Sequence, residues 1–275
     1  MKKILAVSGG IDSVVMLHLL RHEKDVVVAH FDHGIRPNSV DDCAFVKRLA
    51  DKYHLPFESE QGKLGPNCSE ADARAARYEF LNSLCDSPED RIYVAHHADD
   101  VIESITINLV RGTGWRGLAP MRRSAICRPL LEWTKKDIYR YATEHNLHFR
   151  QDQTNTDDTY LRNRVRAKLI ELSDEQKQHI LELYKRQVSL ADEVDEILAS
   201  IITPDDRQPR VIFEQLDDDV ALELLRAIFE QKDIYQTRPQ LMRALAAIRG
   251  YAPGKQFPLG THHHLRVYKY NFQIC

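Results

Sequence analysis

The chain has 275 residues, 43% hydrophobic and 29% charged, with a formal net charge of -3 at pH 7. That length suffices for two domains, and the composition is that of an ordinary soluble protein. No apolar run is long enough to span a bilayer, so no membrane partner is expected. The near-neutral balance excludes attachment to nucleic acid by bulk charge and leaves only local basic patches. The basic pair after Met1 and the apolar residues that follow look like the start of a secretion signal, but Ser8-Gly9-Gly10 and Asp12 break that run. A cytoplasmic protein that begins on its first strand is therefore expected. Cys43, Cys68, Cys85, Cys127 and Cys275 form no Cys-x-x-Cys pair. That suits reduced thiols and argues against a structural zinc or iron–sulfur centre.

The apolar run Ile4 to Val7 reads as a buried parallel strand, and Ser13 to Arg21 as a helix with Val14, Leu17 and Leu20 on one face. Val26 to Phe31 is a second strand, Val40 to Tyr53 a helix, Pro56 to Glu60 a strand, and Ser69 to Leu84 a helix. Arg91 to Ala95 and Ala98 to Arg111 repeat the strand–helix step. Such alternation predicts an α/β fold with a parallel, Rossmann-type sheet, whose ligands sit at the carboxyl ends of the strands. The rhythm changes near Thr134: a helix over Lys135 to Asn146, a polar loop from Gln151 to Thr159, and a long amphipathic helix from Ser173 to Ile202. Pro204-Asp205-Asp206-Arg207-Gln208-Pro209 reads as a linker. It divides a catalytic domain, residues 1–203 including the helical connection, from a small α+β domain, residues 204–275, with two helices and a hairpin near Gly260.

Ser8-Gly9-Gly10-Ile11-Asp12-Ser13 joins the first strand to the first helix. Glycines there let backbone N–H groups approach an anion, and the helix start adds a favourable dipole. A carboxylate beside phosphate would repel it, so Asp12 makes sense as a Mg²⁺ ligand or a loop cap. The loop matches neither G-x-x-x-x-G-K-[ST] nor G-x-G-x-x-G. A bare helix cap is the alternative, but S-G-G-x-D-S after an apolar strand resembles the PP-loop of the ATP pyrophosphatase superfamily. That resemblance implies cleavage of ATP between its α and β phosphates, with pyrophosphate held in the loop.

Three further stretches carry chemistry. His30-Phe31-Asp32-His33-Gly34-Ile35-Arg36 ends the second strand, opposite the loop. His96, Asp100 and Glu103 are spaced i, i+4, i+7, which places them on one helix face able to bind a metal or receive a cationic amine, or simply to face solvent. Arg111 precedes a glycine-rich turn and could meet phosphate or nucleic acid. Asp152-Gln153-Thr154-Asn155 and then Tyr160-Leu161-Arg162-Asn163-Arg164-Val165-Arg166 fit contacts to RNA, or a solvated basic helix start.

In this order, together with Gly65 to Tyr78 and its Arg74 and Arg77, these stretches closely resemble the tRNA(Ile)-lysidine synthase family over residues 1 to about 170. The tail from Pro253 to Tyr268 faintly resembles that family's first tRNA-binding carboxyl-terminal domain. The resemblance implies adenylation of C2 of the wobble cytidine in a CAU anticodon of tRNA(Ile), then attack by free L-lysine. ATP and Mg²⁺ are the implied cofactors. Ser8, Gly9, Gly10, Ile11, Asp12, Ser13 and His30 would hold ATP and pyrophosphate, with Asp12 as the candidate Mg²⁺ ligand. His96, Asp100 and Glu103 would receive lysine. Asp32, with Asp100 close behind, would accept its proton, and Arg111 would stabilise charge. Arg74, Arg77, Arg162, Asn163, Arg164 and Arg166 would hold tRNA. A homodimer is left open. The rivals are a tRNA cytidine thiolase, which usually carries Cys-x-x-Cys, an amidating PP-loop synthetase, and a non-catalytic nucleotide-binding module.

Overall fold

The first strand, β1 (Lys3–Ala6), has Ile4 and Leu5 fully buried, facing opposite sides, as a central parallel strand covered on both faces requires. It belongs to a computed structural model that describes residues 1–34, 39–62, 68–122, 126–150, 161–203, 205–260 and 262–275. After β1 come α1 (Ile11–Leu20), β2 (Val26–Asp32), α2 (Ser39–Lys52), β3 (Phe57–Gln61), α3 (Glu70–Ser83), β4 (Arg91–Tyr93) and α4 (Ala98–Val110). A 3₁₀ turn at Trp115–Leu118 leads to β5 (Ile126–Cys127), α5 (Lys135–Glu144), α6 (Leu161–Leu169) and α7 (Asp174–Ile201).

The five strands are parallel, in the order β3-β2-β1-β4-β5. The chain runs outward from β1 to β3 on one side and returns to place β4 and β5 on the other. The switch in direction therefore falls between β1 and β4, where open α/β sheets bind ligands. Leu5, Val7 and Val28 share one core with Val15, Met16 and Leu17 of α1 and Ile138 of α5. Ile4, Ala29 and Ile92 share another with Phe80 and Leu81 of α3. The period-2 pleat sends successive residues of β1 to these opposite cores. The one-sided face expected for α1 is wider than its spacing suggested: Ile11, Val14, Val15, Met16 and Leu17 are all buried.

Contacts cluster into two compact units, Met1–Gln187 and Val188–Cys275. The Pro204–Pro209 stretch predicts a boundary after residue 203, whereas the units divide within α7. The reason is packing: Leu198, with Val194 and Ile202 against it, joins the core of the second unit. That unit continues with β6 (Arg207–Pro209), α8 (Arg210–Gln215), α9 (Asp218–Glu230), α10 (Arg238–Gly250), β7 (Gln256–Pro258), β8 (His264–Val267) and β9 (Asn271–Ile274). Its strands form an antiparallel sheet in the order β6-β9-β8-β7. Part of the expected linker is thus strand β6, because Gln208 is buried and Arg207 to Pro209 pair with β9. The hairpin near Gly260 is the β7–β8 pair. Among the described residues, no helix is long and apolar enough to cross a membrane.

Candidate nucleotide-binding site

The loop between β1 and α1 is organised around one hydroxyl. Ser13 Oγ accepts from the backbone N–H groups of Ser8 at 3.2 Å and Gly9 at 3.1 Å, and donates to the Gly10 carbonyl at 2.8 Å. Gly9 has φ of 91°, in the left-handed region, and a Cβ there would meet Phe45 Cδ1 at 3.3 Å. Glycine is therefore needed for both conformation and space. The loop curls tightly onto the start of α1, whose first N–H groups have no acceptor within the helix. Ile11 is buried and fixes the helix to the core, while the side chain of Ser8 stays exposed. A backbone turn of this kind suits an anion.

Asp12 does not stand alone in that turn. Lys135 Nζ lies 2.5 Å from Asp12 Oδ1. The lysine is the first residue of α5, and its own backbone N–H donates to Asp99 Oδ2 at 2.9 Å. His97 Nε2 lies 3.8 Å from Asp12 Oδ1 and 3.6 Å from Asp100 Oδ2. Asp99 also takes Lys177 Nζ at 2.8 Å. Burial works against that carboxylate, but Lys177 and the Lys135 N–H outweigh it and hold its pKa below the ordinary value. Lys135, His97, Asp99 and Lys177 escaped the sequence reading. For Lys135 a signal existed, since Thr134 and Asp137 form a capping box that marks the start of α5.

On the β2 side, His30 and Asp32 are both buried. His30 Nδ1 bonds the Val7 carbonyl at 2.8 Å, which ties the end of β2 to the entrance of the loop. Asp32 Oδ1 accepts from the Gly34 N–H at 2.8 Å and Oδ2 from the Gln61 amide at 3.3 Å. Ile35 and Arg36 lie outside the described residues, as do Gly65 to Asn67, Asp152 to Asn155 and Tyr160.

The β4 side departs from the expected single helix face. α4 begins at Ala98, so His96 precedes it in the loop. Asp100 turns back to accept the His97 N–H at 2.9 Å, as an N-terminal cap does. His96 Nδ1 accepts from Arg128 Nε at 3.3 Å, which leaves the proton of the neutral ring on Nε2. Burial is the main cause that holds its imidazole down at about 4; Asp100 opposes this, and Arg128, Arg74 and Arg77 reinforce it. Arg128 also escaped the sequence reading, because β5 has two residues and its pairing comes entirely from β4.

Glu103 is almost completely buried and is held by two side chains of α6. Arg162 Nε bonds one of its oxygens, and Arg166 reaches the other with Nε at 3.0 Å and Nη2 at 2.9 Å. The residue expected to meet lysine and two of those expected to meet tRNA therefore meet each other. Arg166 also lies 4.0 Å from Asp100. Arg164 is exposed, and the side chain of Asn163 lies outside the described residues. Arg74 and Arg77 flank the Tyr78 ring at 5.0 and 5.2 Å. Arg111 is exposed at the far end of α4, about 16 Å along the helix axis from Asp100.

The profile of the PP-loop domain family matches residues 1–173. A tRNA(Ile)-lysidine synthase of Clostridium tetani is 38% identical over 189 residues, covering 62% of this chain and 40% of that protein. One of Actinobacillus pleuropneumoniae is 31% identical over 207 residues, covering 72% and 49%. The bifunctional protein TilS/HprT of Listeria innocua is 34% identical over 203 residues, covering 67% and 31%. The chain thus spans half or less of the length of these curated relatives. In fold, the α/β part is similar to the U34-tRNA thiolase NcsA of Methanococcus maripaludis, with a TM-score of 0.55 and 20% identity, covering 69% of this chain and 73% of that one. With its parallel sheet, its S-G-G-x-D-S turn at the switch point and a family match over most of its length, this chain belongs to the PP-loop family.

Proposed function

We propose that the protein is a tRNA(Ile)-lysidine synthase: it activates C2 of the wobble cytidine of a CAU anticodon with ATP and joins free L-lysine to it, releasing AMP and pyrophosphate. The observation that carries the reading is the meeting, at neighbouring strand ends, of the Ser13-centred anion turn and the His96–Glu103 charge cluster, in a chain 31–38% identical to enzymes of that name. The bond formed is C–N, so the enzyme is a ligase.

The Ser8–Ser13 turn receives the leaving pyrophosphate on backbone N–H groups and the helix dipole. Mg²⁺ fits the one residue offered to it. Asp12 supplies a hard oxygen beside the phosphate cradle, and Mg²⁺ is commonly held by one or two carboxylates together with substrate phosphates. When bound, the ion screens phosphate charge. Asp32 is the proton acceptor for the lysine amine: it is buried at the strand end, and its carboxylate is oriented by Gly34 and Gln61. Asp100 is the second candidate. The Glu103–Arg162–Arg166 cluster walls the lysine subsite, and Asp100 offers it a carboxylate beside the uncharged His96. Arg74, Arg77 and exposed Arg164 contact tRNA, and Arg111 acts at the rim.

The second unit takes part in tRNA binding. Across its sheet Arg207, Gln273, Arg266 and Gln256 stand in register on one face, with the Arg207 guanidinium 4.6 Å from the Tyr268 ring. Tyr251 to Cys275 contains no Asp or Glu. Basic groups interleaved with aromatic and amide side chains suit an RNA backbone. The reaction belongs in the cytoplasm, where tRNA, ATP and lysine meet.

The test is incorporation of radiolabelled lysine into a CAU-anticodon tRNA(Ile) transcript with ATP. Lysine-dependent labelling supports the reading; thiolation, glutamine-dependent amidation or no labelling overturns it. Asp32→Ala should keep tRNA binding and lose product.

A further inference from the structure

We infer that Lys135 is a phosphate ligand of the nucleotide site, stored on Asp12 until a phosphate chain arrives. The inference rests on the reading of the Ser8–Ser13 turn as a phosphate cradle and adds to it a cation that the turn itself lacks.

Three observations carry it. First, Lys135 comes from α5, 123 residues away in sequence, yet its ammonium bonds the carboxylate in the first turn of α1 at 2.5 Å. Second, the base of the side chain is fixed while its end is part-exposed. Thr134 caps α5, and the Lys135 N–H is held by Asp99 at 2.9 Å. The side chain beyond that anchor remains about one-third exposed, 37% for Lys135 against 30% for Asp12. A four-carbon stem on a fixed backbone is a pivot, and the Tyr139 ring 5.7 Å from Nζ lines its arc. Third, the other carboxylates around the pair have partners of their own, and His97 Nε2 stays 3.8 Å from Asp12. Asp99 has Lys177, and Asp100 has the His97 N–H and Arg166.

The exchange is balanced in charge. In the resting turn Lys135 cancels the carboxylate that would otherwise repel phosphate. Asp12 would hold the Mg²⁺ of an entering polyphosphate, and that ion would supply the counter-charge that Lys135 gives in the resting turn. The released ammonium turns to a phosphate oxygen, where a charge-assisted bond replaces the one it left. The ligand class is the phosphate chain of a nucleoside triphosphate, or pyrophosphate alone.

The experiment is calorimetric titration of inorganic pyrophosphate, in excess EDTA, into four full-length proteins: wild type, Asp12→Asn, Asp12→Asn/Lys135→Ala and Asp12→Asn/Lys135→Arg. Asp12→Asn frees the lysine and should bind more tightly than wild type. Adding Lys135→Ala should weaken Asp12→Asn about tenfold, the worth of one charge-assisted hydrogen bond, and Lys135→Arg should restore most of that loss. Equal affinity for Asp12→Asn with and without Lys135→Ala would mean that Lys135 only neutralises Asp12, and would overturn the inference while leaving the phosphate site intact. If none of the four proteins binds pyrophosphate, with wild type also silent in Mg²⁺, the cradle reading fails and the inference falls with it.

Discussion

The β1 end and the β4 end of the same sheet build their shares of the site by different means. At β1, six consecutive residues make a turn in which backbone groups close on one hydroxyl, Ser13 Oγ. At β4, the site is made of side chains gathered from distant segments: Glu103 bonds arginines 59 and 63 residues away, and Asp99 bonds a lysine 78 residues away. The hydrogen bonds that shape the turn lie within six residues, so its conformation is largely local, although Lys135 reaches its Asp12 from α5. The β4 end depends on how α5, α6 and α7 pack against α4, and its charges have value only in those pairings.

That difference can be broken open by mutation. The largest effect should come from Glu103→Ala. It leaves two guanidiniums facing a site vacated by a carboxylate that is only 2% exposed. Because both arginines keep access to water, the expected loss is about 2–3 kcal/mol, below the loss from breaking a fully buried pair. Urea unfolding followed by circular dichroism measures it; an unchanged midpoint would mean the cluster adds nothing to the fold. Gly9→Ala attacks the other end. It forces a side chain into the left-handed region and against Phe45, at a cost of about 1–2 kcal/mol, and should abolish pyrophosphate binding. Binding that survives would show that the turn is not the cradle.

At the β4 end, stability depends on pH through His96. His96 is held at about 4 in the folded state against an ordinary 6.5. Between those values the unfolded chain binds more protons, so stability is present above pH 6.5 and is lost as pH falls toward 4. His96→Gln should therefore lose about 1 kcal/mol less than wild type between pH 7.5 and 5.5, read from melts at both values. Identical losses would mean that His96 is not buried as described. The smallest effect belongs to Arg111→Ala, exposed at the far end of α4: stability should stay within about 0.5 kcal/mol, and any loss should appear in tRNA affinity.

The same contrast explains what the sequence made legible. The alternation of strands and helices, the Ser8–Ser13 turn and the placing of His30 and Asp32 at a strand end follow from periodicity and glycine chemistry. The i, i+4, i+7 spacing of His96, Asp100 and Glu103 predicts one helix face, but α4 starts two residues after His96 and Asp100 caps it. Arg128 sits beside a strand of two residues, too short to show a period. Lys135 was visible only as a helix start, since nothing local announces a partner in α1. The strand β6 hid inside a Pro- and Asp-rich stretch because its pairing partner, β9, lies more than 60 residues further on.

If the turn after β1 holds pyrophosphate as proposed, ATP is cleaved between its α and β phosphates. The most direct measurement follows the nucleotide products when the protein is incubated with ATP, L-lysine and a CAU-anticodon tRNA(Ile) transcript. AMP formed only when both lysine and tRNA are present, and matched by an equal amount of pyrophosphate over many turnovers, is predicted. Release of ADP and phosphate, or AMP formation indifferent to lysine, would contradict it.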